Sequence, residues 1–257
     1  NEVIPYKVGK RIVKVDYNEM IESLNNYNRI KYGRDKLRHV VVSFNDSEVN
    51  KEIKLLELEK RIIIESERIY LKKYYDAELS VAYHINRIVG GQKEYKWNIK
   101  EALGDYCLHN LIDLEENQRE AIYNLAQSFG GFHILNGSAG CGKTFTLKII
   151  IKMMEILYRK KKKKPNIMLM APTGKAAKVA TKATGIDCLT VHRALSYNPE
   201  KGFEYNSTNP LEADIIVVDE SSMLDLMLAN FLFSAVKNGC KVILLGDTKQ
   251  LPSVGAG

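Results

Sequence analysis

Residues 137–144 read Gly137-Ser138-Ala139-Gly140-Cys141-Gly142-Lys143-Thr144, between the apolar run Phe132-His133-Ile134-Leu135 and the helix-forming run Phe145–Leu157. The spacing G-x-x-x-x-G-K-[ST], after a strand and before a helix, is that of a phosphate loop. Its glycines let backbone N–H groups turn inward around an anion, and the following helix aims its positive end at the same place. Lys143 adds a point charge, and the Thr144 hydroxyl can complete a Mg²⁺ shell. Gly137, Ser138, Ala139, Gly140, Cys141, Gly142, Lys143, Thr144 and Phe145 are therefore the expected binding stretch for a nucleoside triphosphate.

A strand–loop–helix of this kind predicts an α/β fold. Asp214-Ile215-Ile216-Val217-Val218-Asp219-Glu220-Ser221-Ser222-Met223 supplies a second strand. Its apolar, β-branched residues read as a buried parallel strand, which puts Asp219 and Glu220 at the carboxyl end, where open α/β sheets bind their ligands. There Asp219 is expected to hold Mg²⁺, and Glu220 to orient and deprotonate an attacking water. Two acids at that position also suit the first turn of a following helix.

Lys241-Val242-Ile243-Leu244-Leu245 reads as a further strand and leads into Gly246-Asp247-Thr248-Lys249-Gln250-Leu251-Pro252. With this turn the chain resembles the superfamily 1 helicases, and its spelling is most similar to the RecD-like branch of the 5′→3′ (1B) group. Leu114–Ala121 resembles the Q motif, whose glutamine, here Gln118, reads adenine. Ala171–Ala177 resembles motif Ia and Thr190-Val191-His192-Arg193 the segment after it; both face single-stranded DNA in the family. Asp219–Met223 resembles motif II, and Gly246–Gln250 motif III. Together these stretches run from Leu114 to Gly257 in the family's order.

The resemblance implies a RecA-like ATPase domain with a parallel sheet over residues 114–257, using ATP and Mg²⁺. It implies catalytic roles for Lys143, Asp219, Glu220 and Gln250, Mg²⁺ held by Thr144 and Asp219, and DNA binding by Pro172, Thr173, Lys175, Thr190 and His192. These roles suit the side chains. The Gln118 amide both donates and accepts, as the adenine edge requires. Thr173 and Lys175 offer a hydroxyl and a cation to phosphate, and His192 can donate to phosphate or stack on a base. The implied parent is an ATP-dependent 5′→3′ DNA helicase or translocase. Its expected partners are single-stranded DNA, duplex/single-strand junctions, and nuclease or recombination subunits. Family members hydrolyse ATP between two RecA-like domains, the second of which supplies arginines. A chain ending after motif III and starting without Met is thus expected to be a fragment that binds nucleotide weakly. Cys141 stands where the family usually has Thr, so its thiol is a candidate for oxidation. A relaxase-associated or Pif-type helicase, or a DNA-binding ATPase subunit regulating a recombination nuclease, are the other readings of the same motifs.

Lys plus Arg exceed Asp plus Glu by 38 to 31, a net +7 that suits a polyanionic partner. The four cysteines show no C-x-x-C pair, which argues against zinc and for a reducing, cytoplasmic setting. No apolar stretch has the length of a membrane span, and no signal-peptide pattern opens the chain.

Before residue 114 the pattern changes. Asp16–Asn28 and Ser47–Lys60 read as amphipathic helices. Arg61–Glu65 and Arg68–Leu71, separated by Ser66-Glu67, read as a hairpin. Helices followed by such a hairpin resemble a winged helix, so residues 1–75 are expected to form a small helical, winged-helix-like domain, with 76–113 as a helical linker. Within the linker, Asp76–Val89 should end at Gly90-Gly91, and Lys93–Asn110 should form a further helix. The run Arg159–Lys164 follows the phosphate-loop helix. It therefore belongs at the strand amino ends, where lysines complement a helix C-terminus. Asn198–Pro210 reads as a surface hairpin or loop.

Overall fold

The structure, a computed structural model, describes residues 3–8, 11–16, 47–65, 68–138, 140–247, 249–250, 253 and 255–256. It divides into two compact units. The first draws on the described residues of Asn1–Leu79, Asp225–Met227 and Val254–Gly257, and the second on Ser80–Leu224 and Leu228–Ser253.

In the first unit, strands β1 (Val3–Val8) and β2 (Arg11–Asp16) pair antiparallel. The helix expected over Asp16–Asn28 lies, beyond Asp16, outside the described residues. Helix α1 (Ser47–Leu58) ends where Lys60 enters the left-handed region, and Arg61 N–H then donates to the Leu56 carbonyl. The expected hairpin is present as β3 (Ile62–Glu65) against β4 (Arg68–Leu71), with Ile62 and Tyr70 buried. Its Ser66-Glu67 pair lies outside the described residues.

Helix α2 (Lys72–Gly90) follows, its residues divided between the two units. In the second unit it stops at Gly90-Gly91 as expected. Its last turn is held by Arg87, whose guanidinium donates to Asn238 Oδ1 at 2.6 Å and to the Val236 carbonyl at 2.7 Å. The stretch expected to be one helix over Lys93–Asn110 is instead a short strand, β5 (Lys93–Glu94), and a helix, α3 (Ile99–His109). The difference is local: Asn98 accepts from Glu101 N–H at 3.2 Å and so starts the helix there. Lys93 and Glu94 pair with β6 (Ser128–Phe129). Nor does this stretch only link. Ile99, Leu103 and Cys107 are buried in one core with Ile122 and Leu125 of α4 (Glu116–Ala126).

The sheet contains β7 (Gly131–Asn136), β8 (Ile167–Ala171), β9 (Cys188–Thr190), β12 (Ile215–Val218) and β13 (Lys241–Gly246), all parallel, in the order β7-β13-β12-β8-β9. The two-residue period of a strand sorts its apolar residues between the two faces. Leu169, Ala171, Ile215, Val217, Ile243 and Leu245 join one core with α3, α4, α5 (Lys143–Lys160) and α6 (Gly174–Thr184). Met170, Ile216, Val218 and Val242 join a second core with α7 (Val191–Ala194) and α8 (Leu226–Ser234). All of Ile215–Val218 is fully buried. Each such side chain contributes roughly 1.5–3 kcal/mol relative to exposure. Between β9 and β12, β10 (Tyr197–Asn198) and β11 (Gly202–Phe203) form the expected surface hairpin.

Where the strands begin, three turns come into backbone contact. A Cβ on Gly130, whose φ is +66°, would lie 2.9 Å from the Gly91 carbonyl oxygen and 3.0 Å from that of Gly239. Only glycine fits that conformation and that approach. Beside this junction the head of β13 buries a lysine. Lys241 is fully buried, and its ammonium donates to the Leu125 carbonyl at 2.5 Å and to Ser128 Oγ at 3.1 Å, with His133 Nε2 at 3.2 Å.

Candidate nucleotide-binding site

The phosphate loop joins β7 to α5. Gly142 takes a left-handed conformation (φ 80°, ψ 19°) to start the helix, and its carbonyl accepts from Thr146 N–H at 2.8 Å. The positive φ disfavours a side chain there, and a Cβ would stand 2.8 Å from Gln118 Nε2, which would have to shift. Lys143 folds back beneath the loop and donates to the carbonyls of Gly137 at 2.6 Å and Ser138 at 3.0 Å. Thr144 follows half-buried on the first helical turn, and Phe145 is exposed. Ala139 lies outside the described residues. Cys141 is exposed, its Sγ crossing so close to Gly137 that a Cβ on that glycine would meet it at 2.5 Å.

Gln118 is built into this loop from the side. Its Oε1 accepts from Glu115 N–H at 3.2 Å, closing the first turn of α4, and its Nε2 reaches the Cys141 carbonyl at 3.5 Å. The glutamine thus both caps a helix and touches the loop, a structural duty that its sequence position does not announce.

Asp219 and Glu220 end β12. Asp219 N–H donates to the Met170 carbonyl of β8 at 2.8 Å, while its Oδ1 accepts from Glu220 N–H at 2.9 Å. Burial raises the Asp219 carboxyl above its ordinary value, opposed by the Glu220 N–H and by the charge of Lys143. Glu220 has φ 51° and ψ 39°, left-handed backbone in a residue that is not glycine. Its Oε2 is buried without a hydrogen-bond partner. A conformation of about 1–3 kcal/mol strain, with an unsatisfied carboxylate oxygen, marks a place where the chain holds an acid ready for something else. Ser221 opens a 3₁₀ turn, Ser221–Met223, rather than an α-helix, and the Glu220 side chain does not cap it.

β13 lies between the loop strand and the acid strand, which brings the third motif to both. Gly137 N–H donates to the Gly246 carbonyl at 3.2 Å, and Ser221 Oγ lies 3.0 Å from where a Cβ of Gly246 would stand. Asp247, nearly buried, accepts from Lys249 N–H at 2.9 Å and from Gln250 Nε2 at 3.3 Å, so Gln250 is folded back over the strand end. Leu251 and Pro252 lie outside the described residues.

The residues expected to face DNA follow β8 and β9 at the same carboxyl edge. Thr173 caps α6, accepting from Ala176 N–H at 3.2 Å, and Lys175 is exposed on the first turn with half-buried Pro172 before it. Thr190 caps α7 in the same way, accepting from Arg193 N–H at 3.2 Å and leaving His192 and Arg193 exposed. Sequence reading missed what His192 touches: Tyr197 and Phe203 of the β10–β11 hairpin, at ring distances of 5.6 and 5.8 Å. The available signal is a tyrosine and a phenylalanine flanking a Pro-Glu-Lys-Gly turn. At the other edge, Lys161 lies over the rings of Phe129 at 4.0 Å and Tyr95 at 4.7 Å, so the lysine run precedes β8 at its amino end. Among the described residues no group of His, Cys, Asp and Glu could hold a metal ion by itself.

A parallel sheet with a phosphate loop at the end of one strand, paired acids at the end of another and helices on both faces defines a RecA-like P-loop nucleotide-binding domain. The AAA domain family matches residues 118–256, more than half of the chain. The chain belongs to that family, on its RecD-like superfamily 1 helicase side. The ATP-dependent RecD2 DNA helicase of Deinococcus radiodurans is 42% identical over 48% of this chain and 16% of its own length. The RecBCD enzyme subunit RecD of Mycolicibacterium smegmatis is 35% identical over 56% of this chain and 29% of its own. An uncharacterized protein of Methanocaldococcus jannaschii is 30% identical over 98% of this chain and 22% of its own. The chain thus spans less than a third of the length of each of these relatives.

Proposed function

We propose that this chain carries the nucleotide-binding half of an ATP-dependent 5′→3′ DNA helicase or translocase. In this reading the loop N–H groups and Lys143 hold the β- and γ-phosphates, Gln118 reads the adenine, and Glu220 takes the proton of the attacking water. Thr144 and Asp219 would hold Mg²⁺, an all-oxygen donor set that suits a hard cation. Bound there, Mg²⁺ would neutralise charge on the phosphates. Pro172, Thr173, Lys175, Thr190 and His192 would engage single-stranded DNA, with Gln250 between the two sites. The observation that carries the reading is Glu220, strained and with an unpartnered buried oxygen just past the carboxyl end of β12, a strand that β13 alone separates from the phosphate-loop strand.

Residues 114–257 are proposed as the first motor domain, with residues 1–75 as a winged-helix-like domain and 76–113 leading from one to the other. A nuclease assembly is a further proposed partner, since one relative is named a subunit of the RecBCD enzyme. Cytoplasmic residence is proposed from four free cysteines. No described helix is long and apolar enough to cross a membrane. The test is DNA-stimulated ATP turnover by the full-length protein, with unwinding of substrates tailed on the 5′ or the 3′ side. Turnover indifferent to DNA, or unwinding only from 3′ tails, overturns the proposal.

A further inference from the structure

Four rings meet at the surface beside α7. Phe203 is the hub: its ring lies 4.8 Å from Tyr197, 4.5 Å from Phe231 and 5.8 Å from His192. Tyr197 is 48% exposed and Phe231 39%, so the outer faces of the group are open although its base rests on the apolar core. Large aromatic faces in water need a reason, because burying them is worth so much.

The local chain is shaped to hold them. Ser196 adopts a left-handed backbone (φ 51°) that turns the chain out of α7. Asn198 Oδ1 then accepts from Glu200 N–H at 2.8 Å and Lys201 N–H at 3.1 Å, which tightens the hairpin and sets Tyr197 directly across from Phe203. His192, edge-on to Tyr197 with ring planes at 84°, joins this cluster to the capped turn of Thr190. The rings therefore continue the edge that already presents the hydroxyls of Thr173 and Thr190 and the cations Lys175 and Arg193.

We infer that Tyr197, Phe203 and Phe231, with His192 at their border, form a base-stacking platform for single-stranded nucleic acid. The inference rests on the proposal that this edge takes DNA, and adds to it the groups that would grip bases rather than phosphates. Stacking suits a motor's track because every base has a π-face, so grip is independent of sequence. The charge fits as well. Arg193 forms no ion pair with an acid among the described residues, leaving it for phosphate beside the rings.

The experiment compares an oligo-dT strand with an abasic strand of equal length, binding each to the full-length protein across a salt series. Tyr197→Ala should weaken oligo-dT binding about tenfold, with Tyr197→Phe restoring it. The salt slope should not change, because no phosphate contact is lost. Binding of the abasic strand should be unaffected by either variant. Tyr197→Trp should report stacking directly, as fluorescence quenched by oligo-dT and not by the abasic strand. If Tyr197→Ala binds oligo-dT like the parent while Lys175→Gln binds it weakly, the platform is wrong and the motor reading stands. If Tyr197→Ala weakens both strands equally, the rings support the fold and the platform is likewise wrong. If the parent binds no single strand at all, the DNA reading itself fails.

Discussion

The backbone N–H of Gly137 donates to the carbonyl oxygen of Gly246 at 3.2 Å, tying the first residue of the phosphate loop to the end of the strand that leads into Asp247 and Gln250. The Asp247 carboxylate in turn accepts from Lys249 N–H and from the Gln250 side chain, so a run of bonds links the phosphate loop to the third motif at the carboxyl edge. The strand order makes this possible, because β13 is the neighbour of both β7 and β12.

Lys143→Ala should abolish measurable ATP turnover in the full-length protein and weaken nucleotide binding. It removes the cation proposed to face the phosphates and also the bonds from Nζ to the Gly137 and Ser138 carbonyls. Equilibrium binding of a fluorescent ATP analogue, alongside phosphate release, checks both halves. A variant that turns over ATP normally would remove Lys143 from the site.

Glu220→Gln should keep Mg-ATP affinity within about threefold of the parent and lower turnover by roughly 10²-fold or more, because the amide keeps the shape but cannot accept the proton. Affinity and turnover falling together would identify Glu220 as a structural residue instead. The same pair of measurements serves, taken at saturating DNA.

The sheet and the loop are legible in the sequence because their signals are local. Four consecutive β-branched residues at Ile215–Val218 leave a buried strand as their simplest reading, and Gly142-Lys143-Thr144 dictates its own turn. What escapes is set by distant partners. Lys241 reads only as the first residue of a strand, yet its partners are Leu125, Ser128 and His133, more than 100 residues earlier. Lys93-Glu94 carries no strand signal, and pairs only because Ser128-Phe129 is brought beside it. Gln118 is legible as the glutamine of a Q-like motif, but its bond to the Cys141 carbonyl depends on how α4 and α5 pack.

Lys175→Gln should lower single-strand affinity and reduce the salt slope by up to about one unit, as expected for one lost phosphate contact. Neutralising Lys161–Lys164 should change the slope far less. Those lysines follow the C-terminus of α5 at the amino end of β8, where Lys161 is engaged with the Phe129 and Tyr95 rings. Fluorescence anisotropy between 50 and 300 mM salt, on the order of the range where such slopes are measured, separates the two. An equal or larger loss from the lysine run would put the track on the wrong edge.

The buried amine of Lys241 gives the last prediction. Burial lowers Lys241 to about 7, and burial followed by the charge of Lys241 lowers His133 to about 4. An unfolded chain returns these groups to about 10.4 and 6.5. Between the folded and unfolded values the unfolded state binds more protons, so stability rises with pH. His133 contributes a rise from about 4 to 6.5, opposed in the acid range by the raised carboxyl of Asp219, and Lys241 contributes a rise above about 7. Among the described residues, Leu125, Ser128 and His133 supply the polar atoms bonded to Lys241, and none is a carboxylate that would favour the charged form. Cys188 and Cys240, pushed up to about 11 and about 12, act in the opposite sense once unfolded thiols begin to ionise. The comparison therefore belongs below about pH 8.5. Denaturant unfolding at constant ionic strength should show the parent gaining ~1–2 kcal/mol between about pH 7 and 8.5. Lys241→Met should lose most of that gain. It should also be less stable by ~1–3 kcal/mol at the upper end, where the Leu125 carbonyl and Ser128 hydroxyl are left without their donor. Parallel pH profiles for the two proteins would show that some other group titrates.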